Sequence, residues 1–220
     1  MFKTITLKPT KEKSILRRHP WVFSGAIKAI ENGISNGDIV EIKSNKGRFL
    51  GYGHYNEGSI AIRIFELNQL TIDNAYWEGK IKKAISQRHH NLDINGKNNI
   101  YRLVHAEGDE MPGCIIDRYD NVIVMQFHSV GMWKLKEIFS KILAKQLPEI
   151  DVIYDKSENT LPEVLKQEFQ IQNSYLLRKI DASDVIASEY GNQFKINWVT
   201  GQKTGFFIDQ RENRKLLGEY

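Results

Sequence analysis

Between Asp38 and Phe65 the side chains alternate at a period of two and are punctuated by glycine, which restricts this stretch to short paired strands. Val40 and Ile42 alternate with charges, and Ser44-Asn45-Lys46-Gly47 reads as a turn into Arg48-Phe49-Leu50-Gly51-Tyr52-Gly53. Ile60, Ile62 and Ile64 then share one strand face, with Ala61, Arg63 and Phe65 on the other. Short strands this close together predict a small barrel. Ahead of them, residues 11–18 predict a short helix stopped by Pro20, with Trp21-Val22-Phe23 as the next strand.

Beyond residue 68 the period changes. A linker over 68–74 leads to a helix capped by Asp73 or Asn74, with Trp77, Ile81, Ala84, Ile85 and Arg88 on one face. Strands follow at 101–105 and 114–119, the latter turning through Asp120-Asn121 into 122–127 as a hairpin. Leu135, Ile138, Phe139, Ile142 and Leu143 repeat at helical spacing before Pro148, residues 152–154 form a short strand, and 162–168 a helix. Residues 185–190 and 194–199 flank Gly191-Asn192 as a second hairpin. The expected organisation is an all-β unit over 1–70, a mixed α+β unit over 74–184, and a hairpin with a following helix over 185–220. No run of about 18 apolar residues is present, and residues 1–8 lack the apolar stretch of a secretory signal, so the cytoplasm is the expected compartment. The single cysteine, Cys114, cannot form an intramolecular disulfide or a four-cysteine zinc site.

Charge is informative once divided. Residues 1–70 carry 11 Lys+Arg against 6 Asp+Glu, and the remaining 150 carry 20 against 21. The positive excess therefore lies in the first third, as a polyanion partner requires, although a solvated basic face gives the same count. Lys11, Lys13, Arg17, Arg18 and His19 form the densest cluster and are candidate contacts to RNA phosphates, with Trp21 expected in the core beside them.

Several alternatives fail on residue type. A phosphate-binding loop at Lys203-Thr204 needs glycines where Gln202 and Asn197 stand, and Gly51-Tyr52-Gly53 is followed by His54-Tyr55 rather than a helix-opening glycine. Cys114 precedes Ile115-Ile116 in an apolar strand, where a thiol is buried and inert. Adjacent His89 and His90 point to different helix faces and make poor metal ligands.

The last stretch combines features seldom found in a plain connector. Gln202 to Arg211 joins a hairpin to a helix and sets polar groups around Phe206-Phe207. Asp209 with Glu212 is a capping-box spacing that predicts a helix start, with Leu216 and Leu217 on its core side. A hairpin and one amphipathic helix do not make a two-layer domain, so a sheet for that helix is expected downstream. Physics alone leaves the loop either a ligand wall or an apolar plug.

These residues resemble a known family. Residues 201–214, Gly-Gln-Lys-Thr-Gly-Phe-Phe-Ile-Asp-Gln-Arg-Glu-Asn-Arg, are similar to the signature opening the catalytic domain of the ribosomal large-subunit methyltransferase I family. Residues 19–27 resemble the start of that family's N-terminal PUA domain, a small RNA-binding barrel, and residues 101–119 its central strand-loop-strand. The resemblance implies an α+β chain: a PUA-like β-barrel, a central mixed domain, and the first hairpin and helix of a Rossmann-like methyltransferase domain that is incomplete here. It implies S-adenosyl-L-methionine as cofactor, with Lys203, Thr204, Gly205, Phe206, Phe207, Asp209, Gln210 and Arg211 at the cofactor's methionine end. The family's type member methylates carbon 5 of a cytosine in 23S ribosomal RNA, which requires a thiolate to add first to carbon 6. Its glycine-rich loop, ribose-binding acid and nucleophilic cysteine all match positions beyond Tyr220, and Cys114 is not in the nucleophile's place. No catalytic residue or metal is therefore expected here, and the 220 residues alone are expected to bind ribosomal RNA but not to react. A non-catalytic RNA-binding adaptor and a methyltransferase of another substrate are the alternatives. An uncovered terminal helix also leaves room for a homodimer.

Overall fold

The structure, a computed structural model, describes residues 2–178, 180 and 183–218. Its first unit is β1 (Lys3–Leu7), α1 (Lys13–Leu16), β2 (Trp21–Phe23), β3 (Ile27–Ile30), β4 (Ile39–Lys43), β5 (Phe49–Tyr55) and β6 (Ile60–Glu66). The six strands lie in the order β2-β6-β5-β4-β1-β3, with β1 parallel to β4 and every other pair antiparallel. This sheet curls into a half-barrel rather than the small barrel expected, since β2 and β3 remain its two edges. Ile5, Leu7, Val40, Ile42, Ile62 and Ile64 fill its concave side, and Ile15 of α1 adds to the same core. The predicted helix over 11–18 shrinks to four residues because Thr10 and Arg18, on either side, adopt left-handed backbone at φ 68° and 62°.

The second unit holds α2 (Asn74–Asn91), β7 (Ile100–His105), β8 (Cys114–Tyr119), β9 (Val122–Phe127), α3 (Val130–Trp133), α4 (Lys136–Gln146), β10 (Val152–Asp155), α5 (Glu163–Glu168) and β11 (Ser174–Leu177). Asp73 caps α2 by accepting the Tyr76 N–H at 2.9 Å, as its sequence position predicts. The sheet order is β11-β10-β9-β8-β7, with β9 and β10 parallel. Strands β3 and β11 carry no clear alternation, while β1, whose Ile5 and Leu7 alternate with Thr4 and Thr6, was not among the expected strands.

The two faces of this five-stranded sheet are covered differently. On one, α2 and α4 pack Trp77, Ile81, Phe139 and Leu143 against Leu103, Ile116, Ile123 and Met125. On the other lies the hairpin of β12 (Asp184–Glu189) and β13 (Asn192–Asn197), which brings Ala187, Ile196 and Trp198 onto Tyr119, Val122, Val124 and Val152. Successive Val122-Ile123-Val124-Met125 are all apolar because both faces of β9 are buried. The chain continues through a 3-10 turn, Ile208–Gln210, into α6 (Arg211–Leu217). None of the helices among the described residues is long and apolar enough to cross a membrane.

Candidate functional site

The segment 201–211 leaves β13 and folds back against it so closely that side chains would not fit at two positions. A Cβ on Gly201 would lie 2.3 Å from the Asn197 carbonyl oxygen, and one on Gly205 2.8 Å from the same atom. Gly205 also has a φ of +130°, which L residues avoid. These glycines let the loop lie flat on the sheet edge.

Thr204 holds it there. The residue is buried, and its hydroxyl donates to Asp117 Oδ2 at 2.6 Å. The Tyr119 hydroxyl lies 2.6 Å from the same Thr204 oxygen. Since the single Thr204 proton goes to the carboxylate, Tyr119 is the donor in that second bond. Burial, followed by the Asp117 charge, raises the Tyr119 pKa far above its ordinary value, so the phenol keeps the proton it donates. Asp117 also receives Arg102 Nε at 2.8 Å and Nη2 at 3.1 Å across the β7–β8 register. The hydrogen bond that Arg102 donates to Asp117 raises the Arg102 pKa. A fully buried carboxylate thus has three hydrogen-bond links to it through Arg102 and Thr204 and none left unmet. Gln126 Nε2 donates to the Lys203 carbonyl at 3.1 Å, and Lys156 Nζ donates to that of Gly201.

The eight residues expected to line a cofactor divide by direction. Thr204 and Gly205 are committed to the anchor just described. Phe206 turns inward against Phe194, with centroids 5.1 Å apart, and under the Arg214 guanidinium at 4.2 Å. Arg211 is drawn to buried Glu189, at 3.1 Å, and to the Ile100 carbonyl. Lys203, Phe207, Asp209 and Gln210 face outward: Lys203 Nζ pairs with Asp209 Oδ1 at 3.1 Å and sits 4.5 Å from the Phe207 ring centroid.

Three expectations are corrected here. Asp209 and Glu212 do not form a capping box: α6 begins at Arg211 with no side-chain cap, Asp209 binds Lys203, and Glu212 accepts the Tyr190 hydroxyl at 2.7 Å. Stronger nearby partners claimed both acids. Leu216 and Leu217, expected on the side of the helix that a further sheet would cover, are 53% and 75% exposed. Trp21 is half-buried, not core, because its Nε1 donates to Glu107 Oε1 at 2.9 Å across the junction with the central unit. The small barrel expected over 1–70 is a half-barrel.

On the first unit, Lys11, Lys13, Arg17, Arg18 and His19 all lie exposed around α1. Among the described residues, none of the four Lys and Arg side chains pairs with a carboxylate; the His19 ring lies 5.9 Å from Trp21 and 6.2 Å from Phe23, which is half-exposed. The exposed Lys and Arg side chains thus share this surface with His19 and the two rings it adjoins. Cys114 is fully buried, and burial drives its thiol well above the ordinary range, which leaves no thiolate for catalysis.

Sequence reasoning missed Asp117, Tyr119 and Glu189, the buried groups that position the segment. Their only signal was charge within a largely apolar strand, as at Asp117-Arg118 between Ile116 and Tyr119. It also missed a cleft of about 590 Å³ between α2, β7 and the start of α6, into which Arg88, Arg102, His105, Ile208 and Arg211 project.

Comparison with known proteins agrees with this anatomy. A PUA-like domain model matches residues 5–67. The whole chain is 37% identical to a Ribosomal RNA large subunit methyltransferase I from Pseudoalteromonas atlantica, covering 55% of that protein. It is 35% identical over 98% of its length to the protein of that name from Shewanella amazonensis and 32% identical to that from Vibrio vulnificus, covering 54% and 55% of them. The chain therefore spans about half the length of the curated relatives it matches. Among solved structures, a Streptococcus mutans protein assigned as a SAM-dependent methyltransferase superimposes with a TM-score of 0.79 at 17% identity, over 98% of this chain and 54% of that one. A second, assigned as a methyltransferase and complexed with SAH, gives a TM-score of 0.80 at 17% identity, over 98% and 53%. At that identity the likeness is one of fold.

Proposed function

From the premise that this chain belongs to the ribosomal RNA large subunit methyltransferase I family, we propose that it is the RNA-docking and cofactor-flanking part of a cytoplasmic, S-adenosylmethionine-dependent RNA methyltransferase. In this reading residues 1–70 are a PUA-like RNA-binding unit, 74–184 a central unit, and 185–220 the opening hairpin and helix of a Rossmann-like catalytic domain. The substrate is ribosomal RNA, with cytosine carbon 5 of 23S RNA as the reacting atom.

The observation that carries the reading is the division within segment 201–211. Its inward residues are fixed by a buried carboxylate, so its outward residues form a wall that does not have to be ordered on binding. Phe207 offers a ring to an apolar or cationic ligand atom, while Lys203 and Asp209 offer one charge of each sign to a zwitterion's carboxylate and ammonium. That donor set fits the methionine end of S-adenosylmethionine, which supplies the methyl group when bound. Among the described residues, Lys203, Phe207 and Asp209 of this wall serve the methionine end, and Cys114 is buried. The chain's own part is to dock RNA and to close one side of the cofactor.

On the RNA side, the unpaired cations around α1 suit phosphates, and Phe23 and Trp21 suit an unstacked base. Fluorescence anisotropy with labelled ribosomal RNA fragments tests this. Affinity should fall steeply between 50 and 200 mM salt, by about tenfold or more for several phosphate contacts. Combined charge reversal of Lys11, Arg17 and Arg18 should weaken binding and flatten that salt dependence; unchanged affinity would favour a different substrate. Calorimetry should find little or no binding of S-adenosylmethionine to the chain alone, and tight binding would refute the incomplete cofactor site.

A further inference from the structure

We infer that the cleft between α2, β7 and the start of α6 is a second RNA subsite, one that holds a nucleotide of the substrate strand beside the cofactor wall. This rests on the proposed methyltransferase reading, and it adds a site distinct from the basic surface around α1.

The cleft's arginines are set by a repeated device. Each is gripped from beneath by a carboxylate buried out of solvent: Arg88 by Asp109 at 2.5 Å, Arg102 by Asp117 at 2.8 Å, and Arg211 by Glu189 at 3.1 Å. Those carboxylate side chains are only 5%, 0% and 2% exposed. Asp117 and Glu189 do not line the cleft, so Arg102 and Arg211 meet it with donors to spare, whereas Asp109 shares the lining with Arg88, whose three nitrogens all have partners. Arg102 uses Nε and Nη2 on Asp117, and Arg211 uses Nε and Nη2 on Glu189 and the Ile100 carbonyl. Among the described residues, Nη1 of both has no partner. A guanidinium held rigid with N–H groups left over is suited to a phosphodiester oxygen, since the orienting cost has been met before the ligand arrives.

The remaining lining matches a ribonucleotide better than a bare anion. Asn91 and Gln87 present amides from the last turns of α2, and exposed His105 faces them from the end of β7. Leu92 and Ile208 add apolar surface against which a base can lie. The volume, about 590 Å³, lies within the range of small-ligand sites. Location supplies the last element of the case. Ile208 and Arg211 belong to the 201–211 segment itself, so a nucleotide in this cleft would adjoin the outward wall formed by Phe207, Asp209 and Gln210. Strand placement beside the cofactor is what an enzyme acting on an unstacked base requires.

The test leaves the ion pairs intact. His105 and Asn91 are exposed, and neither side chain has a hydrogen-bond partner among the described residues, so His105→Glu with Asn91→Asp adds negative charge without unburying an acid. With a ten-nucleotide single-stranded oligoribonucleotide at low salt, the double variant should bind about tenfold more weakly than the unaltered chain. Replacing uridines in that oligonucleotide by 4-thiouridine should give photo-cross-links to residues 87–92 or 101–109. If the double variant binds like the unaltered chain and cross-links fall only around α1, the cleft is not an RNA subsite, while RNA docking by the first unit stands. If the unaltered chain binds no RNA at all, both readings fail. If S-adenosylhomocysteine, rather than the oligonucleotide, perturbs the amide resonances of Arg102 and His105, the cleft belongs to the cofactor and this inference is overturned.

Discussion

Thr204 shows how one hydroxyl can decide what its neighbours are free to do. It links the loop to Asp117 and accepts from Tyr119, and the consequence is that Lys203 and Phe207, on either side of it, point to solvent. Thr204→Val keeps the shape and removes both bonds. It should lower stability by about 1–3 kcal/mol, because the Tyr119 hydroxyl and part of the Asp117 carboxylate are left buried without partners. Thr204→Ser retains the hydroxyl and should recover most of that loss. Urea denaturation of the two variants measures the difference, and equal midpoints for Val and Ser would refute the anchoring role. The residue type was legible in the sequence, but its role was not. Threonine beside glycine in a polar loop reads as a ligand contact, and only the approach of β8 reveals a buried acceptor 87 positions away.

At the scale of elements, the hairpin β12–β13 and helix α6 are joined by a buried acid. Glu189 near the end of β12 accepts Arg214 Nε at 2.8 Å and Nη2 at 2.9 Å, together with Arg211 Nε at 3.1 Å. Burial alone would raise the Glu189 pKa, but the bonds from Arg214 and Arg211 outweigh it and leave the group below its ordinary value. A carboxylate whose pKa is depressed by folding stabilises the fold above its unfolded pKa, about 4.3, and that contribution disappears as pH falls through the lower folded value. The docking of α6 should therefore be pH-independent from neutrality down to about 5 and loosen below about 4. Amide hydrogen exchange of residues 211–217 against pH measures this. Glu189→Gln should give rapid exchange at neutral pH already, and slow exchange in that variant would show that apolar contacts alone hold the helix. The helix itself was foreseen from its spacing. Its start was misplaced because the capping-box pattern cannot register that Lys203 and Tyr190 compete for the same two acids.

At the scale of the molecule, the half-barrel and the central unit share a core. Tyr52 and Phe65 from β5 and β6 belong to the same buried cluster as Trp77, Phe139 and Leu143 from α2 and α4. The His54 ring stacks on Trp77 at 6.1 Å, and His54 lies so close to α3 that a Cβ on Gly131 would come within 2.2 Å of its ring. Units joined by buried aromatic contacts of this kind unfold together. A single transition is expected by near-UV circular dichroism and by calorimetry, and Trp77→Ala should lower its midpoint by the equivalent of about 3–5 kcal/mol. Two resolved transitions, with the half-barrel surviving the substitution, would mean that the junction is a weak interface instead. A shared core also keeps the basic surface around α1 at a fixed distance from segment 201–211, as the proposed docking of one RNA at both would require.

Local pattern determined much of this protein by itself. Period-two alternation placed β4 to β6, helical spacing placed α2 and α4, Asp73 announced a cap, and the two hairpins followed from their turn residues. The division of charge left a polyanion partner and a solvated basic face both open, and a methyl donor was implied only by the resemblance of residues 201–214 to a family signature. Tertiary structure alone decided which residues of that signature are anchors and which are surface, that the second hairpin covers the back of the central sheet, and that three arginines converge on one cleft. The physical reason is that periodicity fixes the side of an element on which a residue lies. It carries no information about what a different element, brought close by chain crossing, presents to that side.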